Sequence, residues 1–136
     1  MPEAPAPVFS SVIPYINLEG AAAASELYQK AFGATEVFRL PADDGKRLMH
    51  CHLQINGGDV MISDCFPEHG ADMAYQPSSS FTLHLQVDDI QAWVKRAVDA
   101  GMTVSMPVQR MFWGDDFGKL VDRFKVNWSL GETPRS

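Results

Sequence analysis

Cysteine is scarce: Cys51 and Cys65 are the only two in 136 residues, and no Cys-x-x-Cys pair exists. That leaves neither a disulfide framework nor a cysteine metal motif, and each thiol reads as a small buried hydrophobe. Positive charge is also scarce, with 11 Lys and Arg against 17 Asp and Glu and a formal net charge of -6. Nucleic acid and anionic membrane both need a basic footprint, so neither is the expected main partner. No apolar run approaches the roughly 20 residues that span a bilayer, and the N-terminus lacks the basic and apolar regions of a signal peptide. A cytoplasmic protein is expected. Ser-His-Asp spacing, a P-loop and a dinucleotide fingerprint are missing too, as is any glycine-rich cofactor loop after a strand, so a methyltransferase has no support.

What is present is one domain's worth of chain with 46% hydrophobic residues, enough for a core without staples. "MPEAPAPV" makes residues 1–11 a flexible N-terminal arm, and "GETPRS" closes the chain in the same manner. "GAAAASELYQKAFG" spaces Ala24, Leu27, Tyr28, Ala31 and Phe32 as one helix face, with Gly33 as a stop. "DDIQAWVKRAVDAG" does the same with Ile90, Trp93, Val94, Ala97 and Val98, after Asp88 or Asp89 as cap and before Gly101. Strand-like segments flank both helices in the same order, and Gly33 and Gly101 are 68 positions apart, half the chain. A duplicated β-α-β-β-β unit accounts for this. The modules span residues 12–64 and 80–131, and "CFPEHGADMAYQPSS" (65–79) is a linker or lid.

The strands alternate strictly. One face reads Ile16 and Leu18; Met49, Cys51, Leu53 and Ile55; Val60 and Ile62; Leu83, Leu85 and Val87; Val126, Trp128 and Leu130. The other reads Tyr15 and Asn17; His50, His52 and Gln54; Met61 and Ser63; Thr82, His84 and Gln86; Asn127 and Ser129. Period 2 suits either a solvated face or a cavity wall. The near absence of Lys, Arg, Asp and Glu from the polar set points to the cavity, since a solvated face normally carries them.

The patterns "PYINLEGAAAASELYQKAFGA", "MHCHLQINGGDVMISD", "FTLHLQVDDIQAWVKRAVDAGM" and "FWGDDFGKLVDRFKVNWSL" resemble the PhnB-like branch of the vicinal oxygen chelate superfamily, which holds glyoxalase I, extradiol dioxygenases and bleomycin-resistance proteins. The resemblance covers about Val12 to Leu130. It implies an α+β fold in which two βαβββ modules curl an eight-stranded sheet round a cavity, helices outside. It also implies a homodimer, with modules pairing within a chain or between chains. Metal-using relatives hold a divalent ion with one side chain from the first and last strand of each module, usually His, Glu or Gln. By register those positions are Ile13, Met61, Thr82 and Ser129, none a strong ligand, so no metal and no cofactor is expected. A rival site would use His50 and His52, about 7 Å apart along one strand face, with His84 if its strand crosses nearby. His69 reads as exposed.

"QRMFWGDDFG" sits at the cavity mouth in the family. Trp113 either stacks on a planar ligand or covers the sheet end, and Asp115 and Asp116 either serve as base or cation holder or shape a turn. Relatives commonly have Asp-Pro-Phe-Gly before the last strand; here Arg123 and Lys125 replace Pro and Gly, two cations near the rim. Three readings stay open. One is a metal-independent binder of a small molecule, an antibiotic or metabolite, the acidic charge suiting bleomycin-like cations. Another is an isomerase, lyase or dioxygenase-like enzyme on a small oxygenated substrate with His50 or His84 as acid-base or a non-standard metal site. The last is a structural protein with a self-filled pocket. The cavity set is Tyr15, Asn17, His50, His52, Gln54, Met61, Ser63, Thr82, His84, Gln86, Trp113 and Ser129.

Overall fold

The alanine-rich stripe after Gly20 folds as α1 (Ala21–Phe32), buries Ala24, Leu27, Tyr28, Ala31 and Phe32, and stops at Gly33, whose φ of 68° lies in the left-handed region that favours glycine. Asp89 caps α2 (Ile90–Asp99), its side chain accepting from the Ala92 N–H at 3.2 Å. The computed structural model describes residues 10–135; the N-terminal arm lies outside the described residues except for its last two positions. Around the helices run β1 (Tyr15–Leu18), β2 (Thr35–Pro41), β3 (Leu48–Ile55) and β4 (Gly58–Asp64), then β5 (Leu83–Gln86), β6 (Thr103–Arg110), β7 (Asp116–Val121) and β8 (Asn127–Glu132). The segment between β4 and β5 carries two short 3-10 turns, Pro67–His69 and Ala71–Met73.

The eight strands divide into two four-stranded sheets, ordered β1-β4-β3-β2 and β5-β8-β7-β6. In each, the first strand pairs parallel with the last and the other pairs are antiparallel. The sheets do not close into a barrel. The repeat extends to the helix starts: Asp64 Oδ1, at the end of β4, accepts the Gly20 and Ala21 N–H groups at 2.6 and 3.0 Å. Glu132, 68 positions on at the end of β8, accepts the Ile90 N–H at 2.8 Å. Each last strand thus supplies the acceptor for otherwise orphaned donors of its own module's helix.

The helix sides of both sheets and both helices form one contiguous core. Phe32 of α1 meets Trp93 of α2 and Trp128 of β8 with ring centroids 6.3 and 4.8 Å apart, so the modules share aromatic packing. The apolar face expected from alternation is buried, Leu83 partly, with one correction: Met49 is 53% exposed. Between Leu40 and Pro41 the β2–β3 pairing shifts register, and Leu48 is the residue buried there instead, its N–H bonded to Asp64 Oδ2 at 2.7 Å.

The β7–β8 turn is built round Asp122. Its Oδ1 accepts the Phe124 and Val126 N–H groups, and its Oδ2 accepts Tyr28 Oη–H at 2.6 Å and Trp128 Nε1–H at 3.0 Å. Lys125 occupies this turn with φ of 67°, which a β-carbon disfavours by about 1 kcal/mol. Lys125→Gly should therefore raise the melting temperature by a few degrees, about 0.5–1 kcal/mol net of glycine's extra unfolded-state entropy. Thermal denaturation followed by circular dichroism checks this, and a lowered midpoint would show that the lysine side chain holds the turn.

Candidate functional site

Opposite the core, each sheet presents an outer face, and the alternation that buries one set of side chains places the polar set there. On the first sheet, cross-strand register sets Tyr15 beside Met61, His52 beside Met61 and Phe38, and His50 beside Leu40. Tyr15 Oη and His50 Nδ1 share a hydrogen bond of 2.8 Å, and the Phe38 ring lies 6.1 Å from the His50 ring. Burial, and secondarily the neighbouring His52, holds the His50 imidazole below its ordinary pKa. His50 is therefore mainly neutral near pH 7. His52 is buried, with Nε2 3.6 Å from Asp59 Oδ1. Ser63 Oγ lies 2.9 Å from the Asp64 carbonyl and 3.1 Å from Asn17 Oδ1, two acceptors for its one proton, and Gln54 is exposed.

On the second sheet, His84 Nε2–H donates to Gln86 Oε1 at 2.8 Å, and Nδ1 shares a hydrogen bond of 2.8 Å with Ser129 Oγ. Gln86 Nε2–H in turn donates to Thr133 Oγ1 at 3.0 Å. The Phe117 ring stacks on His84 at 5.9 Å and 14°, and Trp113 meets Phe117 edge-on at 5.8 Å. Gly131, buried between them, is required for space: a β-carbon there would stand 2.7 Å from Gln86 Oε1 and 3.0 Å from His84 Cε1. Thr82 precedes β5 and is exposed. Asp116 is tied to Arg110 at 2.7 Å, and the Asp115 backbone carbonyl accepts the Met111 N–H at 2.8 Å, which closes the hairpin loop.

The sequence-predicted cavity residues thus fall into two sets on separate sheets. Both faces keep large rings accessible, Tyr15 at 49%, Phe38 at 54%, Trp113 at 49% and Phe112 at 96% exposed. Sequence reading missed Phe38, which a register shift in β2 takes out of simple alternation, and Phe117, which lies on β7 two strands from His84. It also missed Asp64 and Asp122, whose burial follows only from the tertiary packing. A third place is a cleft of about 460 Å³ under the 65–80 segment, the stretch the sequence offers as a linker or lid, lined by Tyr15, Asn17, Phe66, Tyr75, Phe81 and Lys125 among others. The segment is pinned over it by Arg47, which pairs with Glu68 at 2.6 Å and lies 4.4 Å over the Phe66 ring, and by Tyr75 Oη–H on the Phe124 carbonyl. Burial and the Glu36 carboxylate push the Cys51 thiol up to about 12, which disfavours the thiolate form. Burial likewise raises the Cys65 thiol.

The chain belongs to the glyoxalase/bleomycin resistance protein/dioxygenase superfamily, whose family model matches residues 15–130. It is 40% identical over 126 residues to the uncharacterized protein Mb0911c of Mycobacterium bovis, covering 90% of this chain and 82% of that one. Among solved structures, protein PA1353 of Pseudomonas aeruginosa is 29% identical with a TM-score of 0.72, covering 89% and 96% of the two chains. The PhnB protein of Bacillus cereus, 17% identical with a TM-score of 0.70 over 90% and 99%, shares the fold. No helix among the described residues is long and apolar enough to cross a membrane.

The divalent ion that the superfamily implies does not fit these residues. Register pairs Met61 with Tyr15 and Ser129 with His84, two residues beyond Ile13 and Thr82. Those four side chains supply one imidazole, a phenol, a thioether and a hydroxyl, too weak a set for a borderline or hard cation. Among the described residues no three of His, Cys, Asp and Glu gather within reach of one ion. His84 lies on the other sheet from His50 and His52.

Proposed function

We propose that this chain is a PhnB-like small-molecule-binding protein that works without the superfamily's metal, in the cytoplasm, as a two-fold dimer whose outer sheet faces complete each other's cavities. The observation that carries the reading is the paired construction of the faces: each sets a hydrogen-bonded histidine against aromatic rings, Tyr15 and Phe38 on one, Phe117 and Trp113 on the other. Half-exposed rings of this kind are costly on a lone chain and suit stacking on a flat ligand. Tight side-chain packing fills the core side, and the outer faces stand open to a ligand.

The test uses thermal shift with 1-naphthamide as a neutral flat probe. Trp113→Ala should alter the unliganded midpoint by no more than about 2 °C, as surface substitutions do, and should remove most of the probe's stabilisation. Full stabilisation of the variant would move the site away from this face. Sedimentation equilibrium should give twice the 15.0 kDa chain mass; a monomer would sink the shared cavity.

An enzyme reading has its own support in the Tyr15–His50 contact of 2.8 Å. A neutral imidazole bonded to a phenol is a proton-transfer pair suited to an isomerase or lyase acting on a small oxygenated substrate. His50 is the better acid-base candidate, because both nitrogens of His84 are already engaged.

A further inference from the structure

We propose that Lys119 receives an oxyanion of the ligand, a carboxylate or phosphonate whose flat body lies against Phe117 and Trp113. The proposal rests on the small-molecule reading and specifies the charge of what is bound. Three observations carry it.

Lys119 lies on the outer face of the second sheet: Gly118 and Leu120 on either side are buried, while Phe117, two positions back, stacks on His84. Its cross-strand partner is Ser129, the residue bonded to His84, so imidazole, hydroxyl and ammonium stand in one row across β5, β8 and β7.

The second observation is that β7 is an interior strand, flanked by β6 and β8. Lysines that protect sheets from edge-to-edge pairing sit on edges, so that common use does not explain this one.

The third is charge. The other positions this face takes from β5, β7 and β8 are His84, Gln86, Phe117, Val121, Asn127, Ser129 and Gly131, with no carboxylate among them. Arg110 on β6 is matched to Asp116, whereas no carboxylate pairs with Lys119 among the described residues. A chain of net charge -6 repels anions at long range, and an unmatched cation on a neutral, ring-lined face reverses that locally. Lysine acts here as a point charge, which suits a carboxylate or a phosphonate alike.

The experiment titrates the whole protein by calorimetry with three probes of one shape: 1-naphthoate, 1-naphthamide and 1-naphthylmethylammonium. The acid should bind at least about tenfold more tightly than the amide, as a hydrogen bond to a charged group allows, and the ammonium most weakly. Lys119→Met, its fold checked by circular dichroism, should cancel the preference for the acid and leave amide affinity unchanged; Lys119→Arg should restore it. Equal affinity for acid and amide, a preference for the ammonium, or an unaffected Lys119→Met would overturn the oxyanion assignment while the small-molecule reading stands. No binding of any probe would overturn both.

Discussion

Asp122→Ala should destabilise the protein by about 3 kcal/mol or more, enough to lower the midpoint of a chain this size by about 10 °C. Four donors converge on this buried carboxylate, and two of them tie α1 of the first module to β8 of the second. Truncation leaves Tyr28 Oη and Trp128 Nε1 in an interior with no acceptor, which costs far more than the bonds themselves contribute. Tyr28→Phe, which removes one donor and leaves the carboxylate three others, should cost only about 1–2 kcal/mol. Urea denaturation of the three proteins checks the order. A loss below about 1 kcal/mol for Asp122→Ala would show that the turn reorganises and that module docking rests on the Tyr28, Phe32 and Trp128 rings alone.

Gly131→Val should do the opposite: little to stability, much to the site. The side chains it would strike, Gln86 and the edge of His84, are held by hydrogen bonds on an exposed face and have room to swing away. Their displacement breaks the bond to Ser129 and the stack on Phe117, so the wall that faces a ligand loses its shape. Affinity for 1-naphthoate should fall by about tenfold or more, the effect expected of misplacing a preorganised contact, with a midpoint change under about 3 °C. Calorimetry and thermal denaturation on one sample read both. Unchanged affinity would mean that His84 and Gln86 take no part in binding.

Helices and the helix-side faces of the strands were legible because their signal is local: a stripe at 3.6 residues in α1 and α2, and alternation in β3, β5 and β8 that follows the pleat. The repeat was legible from Gly33 and Gly101, and the Asp64 and Glu132 contacts give it a physical basis. The outer strands β2 and β6 were harder, since each has register shifts against its neighbour, at Glu36/Phe38 and Leu40/Pro41 and at Val104/Met106 and Met106/Gln109. A bulge interrupts period 2, which hid Phe38 from the cavity set and placed Met49 in the core by mistake. The meeting of Tyr28 with Asp122 joins residues 94 positions apart, and the separation of His50 and His52 from His84 follows from the division into two sheets. No local pattern carries such pairings. The metal positions show the same dependence on pairing: counting along the chain gives Ile13 and Thr82, and the residues opposite Met61 and Ser129 are Tyr15 and His84.

The most direct measurement of the central claim is a chemical-shift map of the isotopically labelled protein titrated with 1-naphthoate. Binding between the outer faces predicts joint perturbation, at one stoichiometry, of Tyr15, Phe38 and His50 on the first sheet and of His84, Trp113 and Phe117 on the second. The sets occupy separate sheets, and their joint response would show the two faces meeting on one ligand. Perturbation confined to Phe66, Tyr75, Phe81 and Lys125 would place the ligand in the cleft under the 65–80 segment and contradict the account.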